Sequence, residues 1–142
     1  MTVIAWDGVT LAADKQASSN GMIRTVTKIF KLPDGSLFGG SGDFAFILQM
    51  YEWLQDGEKF PEAQRDKDDW QPCFVISREG VFVYERAPCP IRYEDFFFAS
   101  GSGRDFALAA LHCGKTAREA VELACKLSYE CGNGIDTLTL GD

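Results

Sequence analysis

The chain opens with two β-prone runs, Val3–Trp6 and Val9–Asp14, joined through Trp6-Asp7-Gly8. Asp-Gly between such runs is a strong short-range hairpin signal. The hairpin commits this opening stretch to antiparallel structure and brings Asp14 back beside Thr2. Thr2 follows the initiator Met1 directly. Threonine is small enough for ordinary removal of the initiator methionine, so no propeptide is needed to expose it. With Met1 in place the Thr2 amine is blocked. With Met1 gone, Thr2 carries a hydroxyl and a free α-amine on one residue, a nucleophile with its own base.

The remaining pattern predicts a layered α+β domain. Gln16–Gly21 is small and polar and reads as a loop. Thr25–Leu32 alternates as a half-buried strand, Pro33-Asp34-Gly35 is a tight turn, and Ser36–Ser41 returns into Gly39-Gly40-Ser41-Gly42. These four short β-segments predict an antiparallel sheet built first. Asp43 is placed to cap a helix carrying Phe44, Ile47, Leu48, Tyr51 and Leu54 at helical spacing, with Gly57 as its stop. Phe46, Met50 and Trp53 widen the apolar face, which implies cover from the sheet and from a neighbouring subunit. Glu58–Pro72 reads as a charged loop with a short helical turn.

Cys73–Ser77 and Val81–Glu85 form a second hairpin around Arg78-Glu79-Gly80. Ala87-Pro88-Cys89-Pro90 is irregular, and Tyr93–Ala99 reads as a strand buried on both faces. A helix from Arg104 to His112 follows, with Ser102 and Asp105 as a capping pair. Thr116 and Glu119 make a capping box for a helix with Ala120, Val121, Ala124 and Leu127 on one face. Cys131-Gly132-Asn133-Gly134 ends that helix, and Ile135–Leu140 is the last strand. The order predicts a single domain over residues 1–142, a four-layer αββα sandwich of two antiparallel sheets flanked by helices.

Composition narrows the function. A net charge of −7 argues against nucleic acid or an anionic membrane as the main partner. No apolar run nears the roughly 18 residues of a membrane span, and the N-terminus has no signal-peptide pattern, which predicts a cytoplasmic protein. Five cysteines without a C-x-x-C pair, and one histidine, predict no zinc site and no other metal. The cysteines read as reduced thiols packed as small hydrophobes.

Three glycine-rich turns stand at junctions of strand and helix: Gly39–Gly42, Gly101–Gly103 and Gly132–Gly134. Each alone is open to a phosphate-binding or a plain backbone reading, although the spacing matches neither a P-loop nor a G-x-G-x-x-G fingerprint. Taken with Thr2, they resemble the β-type subunits of the proteasome and of the HslV peptidase, which are N-terminal nucleophile hydrolases. The resemblance covers nearly the whole chain. It rests on Thr2 through Leu11-Ala12-Ala13-Asp14, on Lys28-Ile29-Phe30-Lys31-Leu32 and on Gly39-Gly40-Ser41-Gly42-Asp43. Gly101-Ser102-Gly103 and Gly132-Asn133-Gly134-Ile135-Asp136 complete it. Its shortness suggests a bacterial-type proteasome homologue.

The resemblance implies a threonine-type endopeptidase of this fold, working without a cofactor in a homo-oligomeric ring. Peptides or unfolded chains would be its substrate, and an ATP-driven unfoldase would be its partner by analogy. Thr2 Oγ would attack the peptide carbonyl. A nearby Lys28 ammonium would keep the Thr2 amine neutral and basic, and Asp14 would hold Lys28 charged and in place. Gly39 N–H would stabilise the oxyanion. Ser102 would bond the Thr2 amine, a role that competes with its helix-capping role. The family usually places Asp and Ser three residues apart before the last glycine turn. Here Ser128 and Cys131 stand there, with Glu130 between them as the only carboxylate. The opening hairpin is shorter than in typical members, and Glu58–Pro72 is too short for the long second helix many of them carry. A non-catalytic ring subunit of this fold and a small-amide hydrolase with the same nucleophile are the alternatives.

Overall fold

A computed structural model describes residues 2–61 and 72–140. Met1 and most of the expected Glu58–Pro72 loop, residues 62–71, lie outside the described residues. The strands are β1 (Ile4–Trp6), β2 (Thr10–Asp14), β3 (Gln16–Ser19), β4 (Met22–Thr25), β5 (Ile29–Lys31) and β6 (Leu37–Gly40). After helix α1 (Phe44–Asp56) come β7 (Cys73–Ser77), β8 (Gly80–Tyr84), β9 (Ile91–Tyr93) and β10 (Phe98–Ser100). Helices α2 (Arg104–His112) and α3 (Ala117–Leu127) precede β11 (Ile135–Thr139). One sheet runs β10-β1-β2-β11 and the other β5-β6-β7-β8-β9, with antiparallel pairing throughout.

Alternation along the opening hairpin creates the layers. Successive side chains of a strand point to opposite faces. Val3, Ala5 and Ala12 therefore face α2 and α3, where they pack with Ala107, Leu111, Ala120, Val121 and Ala124. Small side chains on both surfaces let the helices sit close to the sheet. Ile4, Trp6, Leu11 and Ala13 face the second sheet and meet Ile29, Leu37, Phe74, Ile76 and Val83. The outer face of that sheet, with Phe38 and Cys73, is covered by Phe46, Ile47 and Met50 of α1. The arrangement is the expected αββα sandwich.

Both ends of α1 follow the sequence signals. Asp43 Oδ1 accepts from Ala45 N at 3.1 Å, and Gly57, at φ +70°, donates its N–H to the Trp53 carbonyl. The Thr116–Glu119 capping box forms at the start of α3. The Glu119 carboxyl is held below its ordinary pKa by the Thr116 backbone and hydroxyl. Asp7 does more than make a turn. Its Oδ1 accepts from Val9 N (2.9 Å) and Thr10 N (2.7 Å), and its Oδ2 accepts from Ala117 N at 2.9 Å. One carboxylate thus closes the hairpin and tethers the first turn of α3.

Several expectations are corrected. Gln16–Gly21 is not a loop, because Gln16–Ser19 pairs with Met22–Thr25 as a hairpin. Asn20 (φ +50°) and Gly21 (φ +77°) supply its left-handed two-residue turn. The strand over Thr25–Leu32 is broken: Thr25 ends β4, and β5 begins only at Ile29. Nor do the first four segments build one sheet, since β1–β2 and β5–β6 lie in different sheets. Tyr93 pairs with Val81 in one sheet and Phe98 with Trp6 in the other, so Tyr93–Ala99 cannot be one strand. Phe96, on the crossover, is 70% exposed. The buried face of α1 is Phe46, Ile47 and Met50, with Leu48 exposed, and Leu127 of α3 is exposed rather than packed.

Phe74 is fully buried between the sheets, its ring centroid 4.9 Å from that of Phe98. Phe74→Ala is expected to cost about 3–5 kcal/mol in urea unfolding. Leu127→Ala should stay within about 0.5 kcal/mol of the parent.

Candidate functional site

Antiparallel pairing gathers the ends of six strands at one edge of the sandwich. The register sets Ile4 opposite Ala13 and Ser100, and Ile135 opposite Asp14. The starts of β1 and β11 therefore meet the ends of β2 and β10. In the second sheet Ile29 at the start of β5 pairs with Gly39 near the end of β6. A bond between the buried hydroxyls of Ser41 and Ser100 at 3.2 Å joins the two sheets there.

Asp14 lies at the centre of this edge and is fully buried. Its Oδ1 accepts from Lys28 Nζ at 2.8 Å and from Val3 N at 3.0 Å. Its Oδ2 accepts from Gly132 N at 3.1 Å and Gln16 N at 3.3 Å. A carboxylate removed from water is tolerated only when paired and bonded in this way. Lys28, 4% exposed, is not a solvated strand lysine. The break before β5 takes it out of the ladder, and Val26 N bonds Lys15 O at 2.8 Å to fix that segment beside β2. Lys28 thereby reaches the same carboxylate oxygen as the backbone N–H next to Thr2.

Thr2 is buried against the turn before α2. Its nitrogen donates to Ser102 Oγ at 3.3 Å, and its carbonyl accepts from Gly103 N at 3.0 Å and Ser102 Oγ at 3.4 Å. Met1 makes this nitrogen an amide; after its removal the same atom is the α-amine. The competition for Ser102 is decided, because the N-cap of α2 is Gly103 and has no side-chain cap. Ser102 does not pair with Asp105 as a cap. Glycines are required on either side of it. A side chain at Gly101 (φ +93°) would overlap the Thr2 carbonyl, and one at Gly103 would press on Val3.

Gly39 lies on an inner strand, opposite Ile29 and Phe74, and a Cβ there would stand 2.7 Å from Phe74 Cζ. Packing alone therefore demands glycine at this position. Ser128 caps the C-terminus of α3, and its hydroxyl accepts from Glu130 N at 3.3 Å. Cys131 is buried in the core beneath α3. Burial pushes its thiol pKa up, the Asp14 charge adds to this, and Lys28 works against it. Cys125 is pushed up to about 11, first by burial and then by Asp14 and Cys131. Cys73 reaches about 12 by burial alone. The terminal turn thus meets Asp14 through the Gly132 N–H rather than through a carboxylate.

Sequence reasoning missed three contributors: the Val3 and Gly132 backbone N–H groups, and Gln16. The Asn20-Gly21 hairpin signal could have located Gln16 by placing it on a strand just after Asp14. All five cysteines are unbridged. Among the described residues no group of three or more His, Cys, Asp or Glu could hold a metal, and no helix is long and apolar enough to cross a membrane.

No protein-family model matches the chain. Among curated proteins it is similar to proteasome subunit beta 1 of Thermococcus onnurineus (strain NA1). They are 26% identical over 173 residues, spanning 97% of this chain and 85% of that protein. It is also similar to proteasome subunit beta 2 of Pyrococcus abyssi (strain GE5 / Orsay), at 27% identity, 97% of this chain and 84% of that protein. Among solved structures, eukaryotic HslV from Trypanosoma brucei superposes with a TM-score of 0.72 at 22% identity over 99% of both chains. BPH from Thiobacillus denitrificans does so with a TM-score of 0.71 at 18% identity, again over 99% of both. These superpositions confirm the sandwich architecture.

The Asp14–Lys28 pair yields a stability test. Asp14→Asn removes the carboxylate charge that Lys28 Nζ bonds at 2.8 Å in a buried site and is expected to cost about 3–5 kcal/mol in denaturant unfolding. Adding Lys28→Met should recover part of that loss, which a double-mutant cycle measures.

Proposed function

We propose that the chain, which is similar to proteasome β subunits at 26–27% identity and shares the fold of HslV, is a threonine-type peptidase subunit whose nucleophile is Thr2 after loss of Met1. The observation that carries this reading is the shared Asp14 oxygen, bonded at once to Lys28 Nζ and to the backbone N–H adjoining Thr2. This supports the reading because Lys28 Nζ and the N–H of the residue that follows Thr2 converge on one buried carboxylate oxygen.

The proposed reaction follows from these positions. Thr2 Oγ attacks the peptide carbonyl carbon while the α-amine takes the hydroxyl proton. The tetrahedral oxyanion is held by Gly39 N–H, a type of donor commonly worth about 3 kcal/mol. The C–N bond breaks, the ammonium returns the proton to the leaving amine, and an ester on Thr2 remains. Water, deprotonated by the same amine, attacks the ester carbon; the C–Oγ bond breaks, the ammonium returns its proton to Thr2 Oγ, and the acid is released. Lys28 disfavours a second positive charge and keeps the amine neutral near pH 7; an ordinary α-amine has a pKa of about 7.7–8.0. Asp14 fixes the ammonium, and Ser102 orients the amine.

In this reading the subunit works in a cytoplasmic homo-oligomeric ring that encloses the site, cleaves peptides or unfolded chains, and needs no cofactor. An ATP-driven unfoldase would feed it. The test begins with mass spectrometry for loss of Met1 and light scattering for a ring. Mature protein should hydrolyse members of a peptide library, and Thr2→Ala should reduce hydrolysis to background. Hydrolysis that survives Thr2→Ala contradicts the proposal. A ring that retains Met1 points to a non-catalytic subunit. Ser128 in place of a carboxylate favours that second reading.

A further inference from the structure

Gln16 is 6% exposed, yet its side chain is polar and it stands two residues after Asp14. Its Nε2 donates to the Tyr129 carbonyl at 3.0 Å. Its Oε1 lies against Gly132, where a Cβ would come within 3.0 Å of it; Gly132 has φ +154°. Its backbone N–H reaches Asp14 Oδ2 at 3.3 Å, and the Gly132 N–H reaches the same oxygen at 3.1 Å. Lys15 N bonds Gly132 O at 3.0 Å, so the turn is stitched to the Asp14 strand on both sides of the carboxylate. A buried polar side chain is retained where it is hydrogen-bonded, and here the Nε2 bond joins two segments far apart in sequence.

We propose that Gln16 is a positioning residue: its amide clamps the Ser128–Gly132 turn so that the Gly132 N–H stays on Asp14 Oδ2, opposite the oxygen that holds Lys28. The catalytic consequence rests on the peptidase reading; the clamp itself does not. A carboxylate that loses an N–H donor keeps its charge less well satisfied, and that charge then bears more strongly on its surroundings. Around Asp14 these are Lys28, the thiols of Cys125 and Cys131, the Lys15–Asp136 ion pair at the β2–β11 boundary, and the Thr2 amine of the mature chain. With Gly132 withdrawn, the excess negative field raises the proton affinity of the Thr2 amine. A larger fraction is then protonated at any given pH, and the acid limb of the rate profile moves to higher pH.

Gln16→Met tests this because it keeps the volume of the side chain and removes both polar atoms. Gln16→Glu keeps the shape and loses the donor to Tyr129, and serves as the second variant should Gln16→Met fold poorly. Hydrogen exchange followed by mass spectrometry should show a peptide spanning Ser128–Gly134 exchanging about tenfold faster, with β1 peptides unchanged. kcat should fall about tenfold with KM within about twofold, the scale of one lost hydrogen bond to a charged group. The acid limb of kcat/KM should rise by about one pH unit. Unchanged exchange in that peptide overturns the clamp, whatever the activity. Faster exchange with kcat and the acid limb unchanged overturns the positioning role. Faster exchange in a chain whose parent cleaves no peptide supports the clamp and overturns the peptidase reading instead.

Discussion

Burial of the Asp14 carboxylate is the constraint on which this edge of the molecule depends. Moving an isolated charge out of water costs several kcal/mol even after relaxation, so the fold must supply partners. It does so from four places: the start of β1 through Val3, the break before β5 through Lys28, the start of β3 through Gln16, and the turn before β11 through Gly132. None of these segments can shift without leaving a buried polar group short of a partner. The two sheets are thereby held in one relative position where Thr2 lies, and Thr2 is framed by these bonds although it sits near the chain end.

The opening hairpin has two working ends. At its turn, Asp7 uses both carboxylate oxygens to close the loop and to hold the first turn of α3. At its open end, Asp14 organises charge. Between them, small residues facing the helices and larger ones facing the second sheet make the hairpin the shared wall of two cores. Backbone freedom is concentrated at the open end. Gly101 admits the Thr2 carbonyl, and Gly132 admits the Gln16 amide. At Gly101 the Thr2 carbonyl approaches too closely for any side chain, and at Gly132 the backbone, at φ +154°, favours glycine while a Cβ would crowd the Gln16 amide.

Much of this was legible in the sequence where local chemistry dominates. The capping box of α3, the Asp43 and Gly57 ends of α1 and the first hairpin follow from signals a few residues long. The grouping of Thr2, Asp14, Lys28 and Ser102 comes from the family resemblance, not from local signals or periodicity, and their bonds lie at one edge. Legibility failed where a run of residues changes sheets. Tyr93–Ala99 looks like one apolar strand, yet the register assigns its ends to different sheets, a fact that lies in no single window of sequence. The Gly132 N–H could not be foreseen, since a backbone donor leaves no compositional trace. Gln16 was hidden by a missed Asn-Gly turn. For Gly39, a glycine required by the Phe74 ring and a glycine required by a reaction look the same in sequence.

The proposed chemistry depends on Thr2 being a nucleophile made reactive by its own amine. The most direct measurement is the site of covalent attachment after mature protein is treated with a peptidyl β-lactone, located by fragmentation mass spectrometry. The account requires the acyl group on Thr2 Oγ, with the exposed cysteines Cys89 and Cys113 unmodified at matched concentration. A mature chain that gains no adduct, or gains it only on cysteine, contradicts the account.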